Sequence, residues 1–265
     1  MKKKPLTICI RCHKSPDLIR DTIESIRKYC SKENYHLMLA IDNKPNLAKK
    51  FDIPCYVSTT PCGWGAGLFK LLCESIEFAE GYFEYGHFVS IDYDTLFIQD
   101  GVDEALLEHL DDQNIGLVGN AEKSNTRWKK AFDFSKREIE DVYGPAPEGY
   151  VQGEGVYGGM FMITRLMIDR MKQYGYLRSP RKNLDSHCRV ADDHMTPRVC
   201  KSLGMTVRQL DKRFQILWDL TTDPFELLGR GVIAFHPTKV KPLSKDIALE
   251  RKVRRFYKDK RDKKC

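Results

Sequence analysis

His87-Phe88-Val89-Ser90-Ile91-Asp92-Tyr93-Asp94-Thr95-Leu96-Phe97-Ile98 is an apolar run that ends on two carboxylates. Phe88, Val89 and Ile91 favour a strand, and a run without strict alternation suits one covered on both faces. Asp92 and Asp94 stand two residues apart, where extended side chains point the same way. Two like charges at the end of a core strand repel and are costly to desolvate. A hard divalent cation relieves both costs, because Mg²⁺ and Mn²⁺ take oxygen ligands and can bind substrate phosphates at the same time. The other reading of Asp-Tyr-Asp is a solvated turn, and the flanking chain decides between them.

Upstream, Leu6–Arg11 reads as strand one. Ser15-Pro16-Asp17 then opens a helix, with a capping Ser, Pro at the first helical position and an acid in the first turn. Leu18, Ile19, Ile23 and Ile26 give that helix its apolar face. Tyr35–Asp42 and Cys55–Thr59 follow as strands, and the glycine loop Pro61–Gly67 leads into a helix over Leu68–Ala79. This alternation predicts a parallel, right-handed, doubly wound sheet for the first hundred residues. Ligands bind such sheets at the carboxyl ends of the strands. Arg11 and His13, Asp42, the glycine loop with Gly63 and Trp64, and Asp92/Asp94 all fall there.

The glycine loop is not a dinucleotide fingerprint. It reads G-x-G-x-G, has Leu68 where a third Gly belongs, and follows the third strand rather than the first. No P-loop motif is present.

Downstream, a helix is expected over Val102–Leu110 and a strand over Ile115–Gly119. Residues 121–150 read as an irregular polar excursion with embedded aromatics, which suits an acceptor loop, a lid or a plain surface loop. Val156–Ile163 is a strand entered through Gly158-Gly159, glycines that would let a ligand or another backbone approach closely. Asp192 or Asp193 can cap the helix carrying Met195, Val199 and Leu203, and a second carboxylate there would be a catalytic candidate. Val232–Lys239 is the last strand. Its His236 could be a third metal ligand, and Lys239 could neutralise a phosphate.

The chain has 265 residues, of which 42% are hydrophobic, enough for one sizeable core. No apolar run approaches the roughly 20 residues of a membrane span. The formal charge is +7, and its location matters. Arg251–Cys265 holds nine of the 44 Lys/Arg and two of the 37 Asp/Glu, so this segment carries the whole excess. That argues against a basic groove spread across the fold and for a basic appendage. A helix capped by Ser244 is expected there, with Ile247, Leu249, Val253, Phe256 and Tyr257 on one side. It either packs on the domain or rests on an anionic membrane or another polyanion. Nine scattered cysteines, no leader and no glycosylation sequon fit free thiols in the cytoplasm, with peripheral contact at the inner membrane face as an extension. Cys9–His13 matches a haem-attachment pattern, but it lies inside an apolar strand and reads as coincidence.

The order of these features resembles a GT-A fold glycosyltransferase that uses a nucleotide-sugar donor. It covers about residues 5–240. The resemblance implies an α/β single GT-A-like domain over 1–242, with a doubly wound, mostly parallel central sheet flanked by helices. Residues 1–100 would be the nucleotide-binding half, 101–242 the acceptor and catalytic half, and 243–265 a basic amphipathic C-terminal helix. It further implies that Asp92 and Asp94 form the DXD motif, binding Mn²⁺ or Mg²⁺ with His236 as third ligand. Arg11, His13, Asp42, Gly63, Trp64 and Lys70 would bind the donor, Asp42 at the base. Asp92, Gly158, Gly159 and Lys239 complete that donor set. The acidic helix start resembles the region that holds the general base of inverting members, with Asp193 first and Asp192 second. Such an enzyme would take a UDP-sugar, or next a GDP-sugar, and a glycan or lipid-linked acceptor, with inverting slightly ahead of retaining. No nucleic acid is expected as a partner.

Two rivals remain. A sugar-1-phosphate nucleotidylyltransferase wants a glycine-rich loop after strand one, and Cys12-His13-Lys14-Ser15-Pro16 has no glycine. A non-catalytic membrane- or polyanion-binding module would work through the basic tail. Truncating 251–265 separates these readings, since an enzyme is expected to keep its activity on soluble acceptors.

Overall fold

The computed structural model describes residues 4–63, 65–110, 113–122, 126–178, 190–219, 222–238 and 243–263. The first half runs β1 (Leu6–Cys12), α1 (Pro16–Tyr29), β2 (Tyr35–Ile41), α2 (Pro45–Ala48), β3 (Cys55–Val57), α3 (Ala66–Tyr82) and β4 (His87–Asp92). Then come β5 (Leu96–Phe97), α4 (Val102–Glu108), β6 (Ile115–Glu122), α5 (Thr126–Tyr143), β7 (Gly155–Ile163) and α6 (Arg165–Gln173). The chain closes with α7 (Asp192–Ser202), β8 (Thr206–Gln209), β9 (Phe214–Asp219), α8 (Pro224–Gly229), β10 (Ala234–Thr238) and α9 (Leu243–Asp262).

Seven strands form one sheet in the order β3-β2-β1-β4-β7-β6-β8. The four strands of the first half are parallel to one another, as the βαβ alternation requires. Only β7 runs against the rest, pairing antiparallel with β4 and β6. The expected doubly wound, mostly parallel sheet is therefore present. Its strands are covered on both faces: Leu6, Ile8, Ile10 and Cys12 enter one core and Cys9 the other. This two-sided burial is why the strands read as continuous apolar runs. Each such side chain contributes about 1.5–3 kcal/mol on burial.

A second sheet, β5-β10-β9, stands beside the first. β5 follows Asp94 directly, and β10 carries His236. Their antiparallel pairing is what brings two segments far apart in sequence together.

Four local expectations are corrected. Residues 121–150 are not irregular, because α5 occupies 126–143 of them. Its stripe Phe132, Ser135, Ile139 and Tyr143 is buried at helical spacing, but the polar Ser135 breaks the apolar pattern. Gly144, with φ 75, receives the chain as it leaves the helix and donates to the Glu140 carbonyl at 2.9 Å. Ser15 does not cap α1 through its side chain: its φ of 59 is left-handed, outside the extended region from which a cap hydroxyl reaches the helix. Asp192 and Asp193 do not cap α7 either. Ala191 holds that position, and both acids sit in the first turn, where the helix dipole favours them. α9 begins at Leu243, so Ser244 lies inside the helix rather than before it.

α9 packs on the fold. Val253 and Tyr257 join Phe235 and Leu227 in a small third core. Arg254 donates to Asp21 at 2.8 Å and to Glu250 at 3.0 Å, and Arg261 donates to Asp21 at 2.8 Å and Glu24 at 3.1 Å. Asp21 and Glu24 belong to α1, so two tail arginines are anchored in the domain. None of the helices among the described residues is long and apolar enough to cross a membrane.

Candidate metal and transfer site

The expected carboxylate pair meets the expected histidine. Oxygen atoms of Asp92 and Asp94 and a ring nitrogen of His236 all lie within 4.8 Å of one another. His236 Nε2 is 3.0 Å from Asp94 Oδ1 and 3.5 Å from Asp92 Oδ2. Burial works against a charge on His236, yet the two carboxylates hold its proton and raise its pKa to about 10. Two carboxylates and an imidazole are a donor set that Mn²⁺ or Mg²⁺ accepts, so the residues fit the implied ion.

The backbone around this corner is closely specified. Asp92 ends β4, and Thr95 N–H donates back to its carbonyl at 3.0 Å. From α1, the Thr22 hydroxyl bridges the carbonyls of Tyr93 (2.8 Å) and Thr95 (2.9 Å). The Thr95 hydroxyl donates to the Gly159 carbonyl at 2.7 Å. Arg254 of α9 donates to the Asp94 carbonyl. His236 stands at a register shift in β10, and such bulges re-aim a side chain. It lies against Gly159, where a Cβ would come within 2.4 Å of the ring. The close approach expected at the Gly-Gly step is therefore made by a side chain of this protein.

A second corner is built on α7. Arg11, paired in register with Asp92, is 6% exposed. It donates to Asp92 Oδ1 at 2.8 Å, and also to Asp192 and to the Gly158 carbonyl. Burial pushes the Asp192 carboxyl up, to about 6, against the pull of Arg11. The two acids differ in access: the Asp192 side chain is 3% exposed and that of Asp193 is 20%. His194 Nδ1 lies 2.8 Å from Asp193 Oδ1. Asp193 packs against Gly158, whose added Cβ would meet it at an ordinary 3.4 Å.

Between these corners and the glycine loop lies a cleft of about 470 Å³, lined by Arg11, His13, Asp42, Gly63, Asp92 and Asp94 among others. Asp42 accepts the N–H of Cys62 at 2.6 Å and of Gly63 at 3.4 Å, which fixes the loop as a wall of the cleft. Gly67, in the first turn of α3, lies so close to that loop that a Cβ there would overlap the Cys62 carbonyl at 1.5 Å. Burial, with Lys14 and Lys44, lowers the His13 pKa, which favours its neutral form. Lys70 is not brought into the cleft lining; it donates to Thr60 Oγ1 at 3.0 Å. Trp64 and Lys239 lie outside the described residues.

Sequence reasoning missed the supports. Thr22 reads as a neutral position on a surface helix, and nothing near it points to the Asp-Tyr-Asp turn 71 residues on. Arg254 reads as one charge of a basic tail. His194 is adjacent to Asp193, and that adjacency was a readable signal.

No family model matches the chain, and no curated protein matches it in sequence. Among solved structures it is similar to a glycosyltransferase involved in the glycosylation of the major capsid of PBCV-1, with a TM-score of 0.53 and 15% identity over 93% of this chain and 99% of that one. It is also similar to the mannosyltransferase PcManGT from Pyrobaculum calidifontis, in complex with GDP-Man and Mn²⁺ (TM-score 0.46, 13% identity, 80% of this chain and 56% of that one). The WbbM bifunctional glycosyltransferase, in its apo structure, matches with a TM-score of 0.49 and 13% identity over 88% of this chain and 45% of that one. The chain thus spans about half the length of the last two. The end-to-end likeness to the capsid glycosyltransferase, on a sheet with the topology described, shows a GT-A-like fold.

Proposed function

We propose that the chain is a metal-dependent glycosyltransferase that moves a sugar from a nucleotide-sugar donor to a hydroxyl acceptor, with Asp193 as general base of an inverting transfer. The observation that carries this reading is the convergence of Asp92, Asp94 and His236 at the carboxyl end of β4, with both carboxylates lining the cleft. Asp92, Asp94 and His236 would hold a divalent ion, which supplies Lewis-acid stabilisation of the departing diphosphate. The cleft between the glycine loop and Asp92 would take the nucleoside diphosphate. A UDP-sugar is the first donor to test and a GDP-sugar the second, and a glycan or lipid-linked glycan is the acceptor class.

Asp193 is preferred to Asp192 because its carboxylate has surface to offer an acceptor hydroxyl, whereas Asp192 is enclosed with Arg11. A base must reach within about 2.6–3.2 Å of the proton it takes. His194 orients the carboxylate from behind. Peripheral contact of α9 with an anionic surface is supported by its outward Arg251, Lys252, Arg255 and Lys258, and by Phe225, 67% exposed and stacked edge-on against Phe256.

Asp193→Asn tests the base. Sugar transfer should fall by about 10²–10⁴-fold, while the Mn²⁺-dependent thermal shift given by the donor stays unchanged. Near-normal transfer by this variant would remove Asp193 from the role.

A further inference from the structure

Arg11 touches both corners of the site at once. Its guanidinium reaches a carboxylate on β4 (Asp92), a carboxylate at the start of α7 (Asp192) and a carbonyl on β7 (Gly158). It lies over the Phe161 ring at 5.6 Å and is 6% exposed. A buried charge is tolerated only when it is paired with good geometry, and removing one partner strands the other. To grip a donor phosphate, this guanidinium would have to leave two carboxylates that are themselves enclosed or facing the metal corner. The planar fork of Arg suits two acids at once, which a Lys ammonium does as a point charge only.

We infer that Arg11 is a positioning residue that sets the spacing between the metal corner and the base. It does so by tying Asp92 to Asp192 and so fixing the first turn of α7, on which Asp193 stands. This role rests on the proposed transferase reading for its catalytic consequence, but the tie itself is independent of turnover. Asp192 is then the anchor of the helix start, which explains why two consecutive acids have such unequal exposure.

The test combines amide exchange with kinetics on the full chain. In Arg11→Lys, and separately in the near-isosteric Asp192→Asn, amides 191–196 should exchange at least about tenfold faster, because the anchored helix start opens locally. Amides of β1 and β4 should be unchanged. If transfer is measurable, both variants should lose kcat by about 10²-fold at an unchanged donor KM, as expected when reacting groups are misplaced by about 1 Å. The double variant should be no slower than the slower single one, since both break one link. Unchanged exchange at 191–196 in both variants would overturn the inference. So would a raised donor KM at constant kcat, which is the signature of direct donor binding. Exchange needs no turnover, so failure of the tie and failure of the transferase reading register in different measurements.

Discussion

The two corners of the site are built in opposite ways. The metal corner draws Asp92 and Asp94 from one segment and His236 from another more than 140 residues on, and nearly every restraint on it is backbone: a bulge at His236, the Thr22 bridge, the Gly159 contact and Arg254 on a carbonyl. The corner proposed to hold the base draws Asp192, Asp193 and His194 from one stretch of α7, and side-chain bonds from Arg11 tie it to β4. A corner assembled from distant segments needs a closely specified backbone to hold its ligands in register. A corner on one helix gets its internal geometry from the helix, and needs only to be docked.

The contrast can be broken first at α9. Arg254 is buried and binds Asp21, Glu250 and the Asp94 carbonyl, so Arg254→Met, which removes one side of a buried charged network, should cost about 3 kcal/mol, read as a Tm lower by several degrees. Removing residues 251–265 takes Arg254 and Arg261 together and should unfold the metal corner. That replaces the expectation from sequence that activity survives this truncation. Charge reversal at the exposed Lys252 or Arg255 should leave stability within about 0.5 kcal/mol. A truncated chain with unaltered Tm would show that α9 supports nothing.

A smaller effect is expected at the two glycines. Gly159→Ala places a methyl 2.4 Å from the His236 ring, so the ring must move. Mn²⁺ affinity should fall by about 10–100-fold, the range seen when groups supporting a ligand are lost. Gly158→Ala meets Asp193 at 3.4 Å and Arg11 at 3.8 Å, which are ordinary contacts. Its Mn²⁺ affinity should be unchanged. Equal losses in a Mn²⁺ titration of the two variants would remove the distinction between the corners.

What was legible in the sequence follows the same division. The first half declared itself because each strand and helix carries its own periodicity, and because Asp92/Asp94 end a strand whose neighbours follow from βαβ order. His236 was legible as a strand-end histidine, though nothing in its segment shows the bulge that aims it. Arg11 and Asp192 lie 181 residues apart, and no local pattern joins them. α5 was hidden because burial of Ser135 at 0% exposure puts a polar residue in its apolar stripe. The tail was left open between packing on the domain and contact with a polyanion for a related reason. A charge count treats all arginines alike, whereas Arg254 and Arg261 point inward and Arg251 and Arg255 outward.

The central claim is that Asp92, Asp94 and His236 hold an ion on which donor binding depends. Thermal shift of the intact chain with UDP- and GDP-sugars, with and without Mn²⁺, tests it most directly, run beside Asp94→Asn. A ligand at 100 times its dissociation constant stabilises by about 2.7 kcal/mol, which is readily measured. The account predicts a shift with a nucleotide-sugar that requires Mn²⁺ and disappears in Asp94→Asn. A nucleotide-sugar that stabilises the chain equally without the ion, or equally in the variant, would contradict it.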